Sequence, residues 1–330
     1  MHNEPAVLAF DGGSSKTDAV LISGGGAVLG RSRVGPSNHQ LVGIERAIEA
    51  LDEAVVAVAY AAGLADTTFP LCGTGVYCLA GIDLPIDEER LGPAIAERGW
   101  TRTDLLRNDT LAVSRAGTTA QWGVGVVCGT GMNCAGIGPD GTLVRFPALA
   151  ELSGDFAPGG SWLGIRALGL ALRGEDGRGG PTSLSRRVPE HFGRADAGAV
   201  LSDVYTGAIS YSRLFELAPV LLSAAAEGDT EARRAADTLA DEVAAFAGAA
   251  IVRLGVADDA VEVVLGGGVF HTDDAGFHER VADRIHAVAP RAVLRYLDAP
   301  PVLGAGLLGL DAIGADDEAK ARLRAELGER

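Results

Sequence analysis

The chain has 330 residues, 47% hydrophobic and 22% charged, with a net charge of −16. That length suits two average domains, and so acidic a chain is a poor match for nucleic acid, which needs a basic surface. No apolar run reaches the ~20 residues of a membrane span, and Met1–Pro5 carry no basic n-region, so a cytoplasmic chain without a signal peptide or membrane contact is expected.

Ala6–Phe10 is an apolar run ending at Asp11 and a glycine pair, Thr17–Ser23 is apolar again, and Ala27–Val34 resumes after Gly24–Gly26. Three such runs on short glycine-rich connections predict an antiparallel meander. Gly43–Ala62 places Ile44, Ala47, Ile48, Leu51, Ala54, Val55 and Val58 on one helical face. Leu71–Leu79 reads as strand and loop, and Asp87–Arg98 as a helix capped by Asp87. Leu105–Asp109 is a short strand ending in a carboxylate, followed by a helix of small residues over Thr110–Thr119.

The opening plan then repeats, with strands over Gly123–Cys128, Asn133–Gly138 and Thr142–Phe146. Long helices are predicted over Ser161–Arg173, Val204–Ala226 and Thr230–Leu254, with a surface loop over Gly174–Gly180. A buried strand, Val261–Leu265, ends in Gly266–Gly268; two helices and a short strand follow, then a polar helix over Glu318–Arg330. No low-complexity linker separates the halves. Two domains sharing a hinge are expected, 1–112 and 113–330, with the last helix packing back on the first.

Cys72, Cys78, Cys128 and Cys134 form two Cys-x5-Cys pairs in nearly repeated strings, each beginning Cys-Gly-Thr-Gly. Metal sites prefer closer spacing, and each first Cys ends an apolar run, which predicts buried, unligated thiols.

Three glycine-rich turns carry the chemistry. Asp11–Thr17 offers unobstructed amides at Gly12 and Gly13, hydroxyls at Ser14, Ser15 and Thr17, and the ammonium of Lys16. Such a loop can cradle phosphates while Asp11 helps hold Mg²⁺ through water. It is not a Walker loop, and locally it reads equally as a hairpin turn with a solvated Lys16. Gly129, Thr130 and Gly131 form a second loop, which leads to Asn133. Gly266, Gly267 and Gly268 form a third, where bare backbone would admit an adenine or ribose.

These motifs resemble, in order and from about residue 6 to 312, the N-acetylglucosamine kinase branch of the BadF/BadG/BcrA/BcrD ATPase family. Asp11–Asp18 is similar to its first phosphate motif, Cys128–Cys134 to its second, and Val263–Phe270 to its adenosine motif. Ser37–His39 looks like the sugar-side loop, Asn108-Asp109 like the strand end bearing the catalytic carboxylate, and Gly304–Gly306 like the closing helix. Where that branch has a Trp-containing stretch and Gly-Asp-Glu-Gly-Ser, this chain has Ala148–Ser161, with Leu149 at the Trp position and Gly154-Asp155 retained.

The resemblance implies an α/β fold of two actin-like (ribonuclease H-like) domains around a central cleft. It also implies a homodimer that uses ATP and Mg²⁺ to phosphorylate a small sugar, N-acetylglucosamine or a related amino sugar, at its 6-hydroxyl. Asp109 is the candidate base, although locally it reads as a helix N-cap. Asn38, His39, Thr74, Gly75, Asn133 and Asp155 are candidate sugar contacts, and His39 reads equally as a plain loop histidine. Two alternatives stay open: another acceptor such as glucosamine, glucose or a muramic acid derivative, or an ATPase that energises a partner enzyme through a cysteine-held iron–sulfur cluster.

Overall fold

The computed structural model describes residues 4–64 and 68–328. Residues 1–3, read above for a signal, and the last two residues of the final predicted helix lie outside them. The first half holds strands β1 (Pro5–Gly12), β2 (Thr17–Ser23) and β3 (Val28–Val34), then helices α1 (His39–Val42) and α2 (Ile44–Ala61). Strand β4 (Cys72–Leu79), helix α3 (Pro85–Ala96), strand β5 (Thr101–Asn108) and helix α4 (Asp109–Gly117) follow. The second half opens with β6 (Gly123–Cys128), β7 (Met132–Ile137) and β8 (Leu143–Arg145), then a 3₁₀ turn over Ala150–Ser153. Helices α5 (Gly160–Asp176), α6 (Leu184–Phe192), α7 (Ala197–Thr206), α8 (Ala218–Ala226) and α9 (Thr230–Leu254) come next. The chain closes with β9 (Glu262–Gly266), α10 (Ala275–Val288), β10 (Val293–Tyr296), α11 (Pro301–Ala312) and α12 (Asp317–Gly328).

One topology occurs twice. The sheets run β3-β2-β1-β4-β5 and β8-β7-β6-β9-β10, each an antiparallel meander extended by two parallel strands. Both faces of each sheet are covered, so the inner strands are apolar on successive residues and do not alternate. Leu8 and Phe10 of β1 pack with Leu51, Val55 and Val58 of α2, while Val7 and Ala9 face Leu303, Leu307 and Leu310 of α11. In the second sheet Val124 and Val126 face Val243, Ala247 and Ile251 of α9.

The helices on the inner faces are exchanged. Helix α4 leaves the first sheet and packs on the second, where Gly125 lets its backbone approach: a Cβ there would lie 2.9 Å from Thr110 O. Helix α11 leaves the second sheet and packs on the first, where a Cβ at Gly309 would lie 2.3 Å from Val7 Cγ1. The two cross at Gly304, and Arg115 of α4 donates to Asp311 of α11 at 2.7 Å. Arg324 of α12 also donates to the carbonyl of Ala116, at 2.7 Å. The division at 112/113 therefore falls inside a helix, and α11 and α12 both rest on the first sheet.

Three local expectations differ from the structure. Val204–Ala226 is not one helix: α7 ends at Gly207 (φ 82°), and a 3₁₀ segment, Tyr211–Leu217, precedes α8. Residues 174–180 are partly helical, because α5 runs to Asp176. Asp87 lies inside the first turn of α3, and its Oδ2 accepts from the Leu84 amide at 2.8 Å. All four cysteines are free and buried. Among the described residues no helix is long and apolar enough to cross a membrane.

Candidate active site

Strands β1, β4 and β5 are parallel neighbours, so their carboxyl ends open on one side, where ligands of such sheets bind. Three carboxylates lie at or just beyond those ends: Asp11, Asp83 and Asp109. Asn108, and not Asp109, caps α4, its side-chain oxygen accepting from the Thr110 amide at 3.0 Å. Asp109 is thereby released from capping and lines a cavity of about 620 Å³ between the halves. Burial pushes its carboxyl up to about 7, and the negative charge of Asp11 adds to the rise. Asp11 is also pushed up to about 7, by burial first and then by Asp18.

Asp83 joins the two halves. Its carboxylate accepts from Gln40 at 3.2 Å, from Asn108 at 3.0 Å and, across the cleft, from Asn133 of β7 at 2.8 Å. Burial holds its carboxyl above the usual range, against the pull of Gln40. The residue that caps the helix of Asp109 and a side chain from the opposite half thus share one acceptor.

The first two glycine turns meet at this cavity. Gly13, Ser14 and Asn38 approach from the first half, Gly129, Thr130, Gly131 and Asn133 from the second. Asn38 donates to Ser14 Oγ at 3.0 Å, which ties the sugar-side loop to the first phosphate turn. Gly129 and Thr130 also line an adjoining cavity of about 720 Å³, bounded by Gly268, Val269 and the apolar face of Ala218, Pro219 and Leu222. The two cavities share Gly129, Thr130 and Phe215.

Several sequence-nominated residues are placed elsewhere. Thr74 and Gly75 lie within β4, opposite Val7 and Leu8, and Gly75 is closed off by Thr101 and the Tyr77 ring. Their likeness to Gly129-Thr130 misleads because Cys72 begins a strand whereas Cys128 ends one. His39 is buried, with Nε2 3.1 Å from Asp87 Oδ1, and Gln40 takes the cleft position instead. Lys16 pairs with Asp18 at 2.5 Å, outside the cleft, and Thr17 is buried, donating to Ser37 at 2.8 Å. Ser15 is exposed without lining either cavity, and Gly12 is packed against Ser37 and Leu79. Gly266 backs onto Val113 and Gly267 onto the backbone of Cys128, so Gly268 alone of that triplet lines the adjoining cavity. Asp155 is buried, accepting from Ser153 at 3.0 Å, and Glu151 stands in the cavity wall.

Sequence reasoning missed Asp83, Gln40 and Glu151. The strand-end argument that selects Asp109 would also have found Asp83, four residues past the end of β4. Nothing local distinguishes Gln40 or Glu151 from solvated loop residues.

Two copies of one sheet topology, with glycine turns facing each other across a cleft that Asp109 floors, define an actin-like two-domain nucleotide fold. The chain belongs to the BadF/BadG/BcrA/BcrD ATPase family, whose profile matches residues 9–309. It is 25% identical over 267 residues to the N-acetylmuramic acid/N-acetylglucosamine kinase of Clostridium acetobutylicum, covering 80% of this chain and 85% of that one. It is 24% identical to the N-acetyl-D-glucosamine kinase of Dictyostelium discoideum over 313 residues, 92% of this chain and 98% of the other. A crystal structure from Chromobacterium violaceum, provisionally named N-acetylglucosamine kinase, superposes with a TM-score of 0.67 at 24% identity, covering 93% and 99% of the two chains. That last likeness speaks to the fold.

Proposed function

We propose that this protein is a sugar kinase that transfers the γ-phosphoryl group of ATP to an amino sugar, N-acetylglucosamine or a close relative, at its 6-hydroxyl. The observation that carries the reading is Asp109: a carboxylate freed from helix capping at the floor of the acceptor cavity, beside the loop shared with the nucleotide cavity. Phosphoryl transfer asks a protein mainly to position and to stabilise charge. Asp109 accepts the hydroxyl proton as the sugar oxygen bonds to the γ-phosphorus and the bond to the ADP leaving oxygen breaks. Gly13, Gly129 and Thr130 supply amides and a hydroxyl for the phosphates, and Asn38 and Asn133 hold sugar hydroxyls. Asp83 keeps Asn108 and Asn133 in register, so the acceptor side and the catalytic helix close together.

Mg²⁺ that accompanies ATP needs only one or two protein carboxylates. Asp11 suits that part, because it stands at the carboxyl end of β1 and its side chain makes no hydrogen bond among the described residues. The ion would neutralise charge at the phosphates. A cytoplasmic homodimer completes the reading, on the family resemblance alone.

The partner-energising alternative needs accessible thiolates, and here burial pushes Cys72 up to about 11 and Cys128 up to about 12. ADP release with Mg–ATP should therefore depend on sugar and be highest with an amino sugar, compared against glucose and no sugar. Sugar-independent hydrolysis would sink the kinase reading.

The rate should also depend on pH with a defined sign. Asp109 accepts a proton only when ionised, and its carboxyl titrates near 7. kcat/KM is expected to fall as pH drops through about 7, about three units above the usual limit for an aspartate base. A limb below pH 5 would remove Asp109 from that role.

A further inference from the structure

We infer that the acceptor cleft sorts sugars by charge, accepting neutral and cationic amino sugars and rejecting those that carry a carboxylate, with Glu151 as the discriminating residue. The inference rests on the sugar-kinase reading above and narrows its substrate class.

The cavity is lined by Asp83, Asp109 and Glu151 and, among the described residues, by no Lys, Arg or His. The nearby cations lie outside the lining. Lys16 and Arg33 of the first half both pair with Asp18, Arg145 of the second half pairs with Glu88, and Arg166 of α5 stacks on the Trp162 ring.

The three acids are not equivalent. Asp83 has its oxygens taken by three amide groups, and Asp109 sits at the floor for the reacting hydroxyl. Glu151 lines the cavity, is exposed and makes no side-chain hydrogen bond or ion pair with any described residue, so no internal partner offsets a carboxylate there. Its position is held. Ser153 Oγ accepts from the Leu149 amide at 2.9 Å, closing the turn that bears it. Ala150, just before it, is the one non-glycine residue with positive φ (54°) among the described residues, and it lines the same cavity.

N-acetylglucosamine is neutral, glucosamine carries an ammonium, and a muramic acid derivative adds a carboxylate on a lactyl ether. Closing the cleft excludes water and lowers the local dielectric, which strengthens repulsion between Glu151 and a second carboxylate. One relative is named for both N-acetylmuramic acid and N-acetylglucosamine; this chain is predicted to act on the neutral sugar and not on the acidic one.

The test compares kcat/KM for N-acetylglucosamine, glucosamine and N-acetylmuramic acid in the wild type, Glu151→Gln and Glu151→Lys. We expect the wild type to favour N-acetylglucosamine over N-acetylmuramic acid at least tenfold. Glu151→Gln should narrow that ratio and Glu151→Lys should narrow it further. Equal use of both sugars by the wild type, or a ratio unmoved in both variants, overturns the inference.

Binding separates its failure from that of the kinase reading. Trp162 lines the cavity, so quenching of its fluorescence, with Trp162→Phe as control, reports each sugar without turnover. Charge-ordered binding with no phosphorylation would keep the selectivity and sink the kinase. Absence of binding by all three sugars would sink both.

Discussion

Asp109→Asn is expected to lower kcat for sugar-dependent ADP release by about 10²–10⁴-fold, the usual contribution of a positioned general base. The sugar KM should move far less, because an amide of the same shape still meets the hydroxyl, and the limb near pH 7 should vanish with the carboxyl. The substitution should also stabilise the protein. Burial raises the Asp109 carboxyl to about 7 in the folded chain, whereas the unfolded value is about 4. The folded state therefore binds the proton more tightly, and stability falls as pH rises from about 4 to about 7. Above 7 the wild type bears the whole cost of an ionised buried group, which asparagine avoids. Tm of the variant should exceed that of the wild type by at least ~2 °C at pH 8, and the gap should close toward pH 4. A variant that is inactive and less stable at pH 8 would point instead to a structural role. Full activity would remove Asp109 from catalysis altogether.

Gly304→Ala is expected to be strongly destabilising. A Cβ at Gly304 would lie 1.8 Å from Ala112 O and 2.7 Å from Ala116 N. Both are backbone atoms of α4, so no rotamer change relieves the clash; α11 must move away bodily. That shift loosens Leu303, Leu307 and Leu310 from the first sheet and disturbs the helix that begins at Asp109. Overpacking commonly costs about 1–3 kcal/mol, and a backbone-on-backbone contact should reach or pass the upper end. Urea unfolding would measure it, with Gly169→Ala in α5 as the control. A Cβ at Gly169 meets nothing within 4 Å, and alanine there should be neutral or stabilising by up to about 1 kcal/mol. A Gly304→Ala protein as stable as the wild type would show that the helix crossing is looser than described.

Both predictions concern α4, and that helix shows what sequence can and cannot reveal. Its existence was legible from small residues after a strand, and its first carboxylate stood out as a candidate base. Whether Asp109 capped the helix or faced a ligand was undecidable locally, because Asn108 and Asp109 are both good caps. The structure gives the cap to Asn108, whose side chain also reaches Asp83, and places Asp109 in the cavity wall.

The class of fold was legible in the order of residues along the chain. Strand runs with period-two or continuous apolar character, helices at 3.6-residue spacing and glycine turns are local patterns, and local patterns are written in consecutive residues. The two meanders, the two phosphate-type turns and Gly268 after a buried strand were legible for that reason. Tertiary structure alone decided which end of a strand meets the cleft. Cys72-Gly-Thr-Gly75 and Cys128-Gly-Thr-Gly131 are the same string, yet the first starts a strand away from the cleft and the second ends one at it. It also decided that Asp83 meets Asn133, 50 residues on, and that α4 and α11 exchange sheets. Register and strand order bring together residues with no common local signal, and a cleft between two halves is made entirely of such meetings.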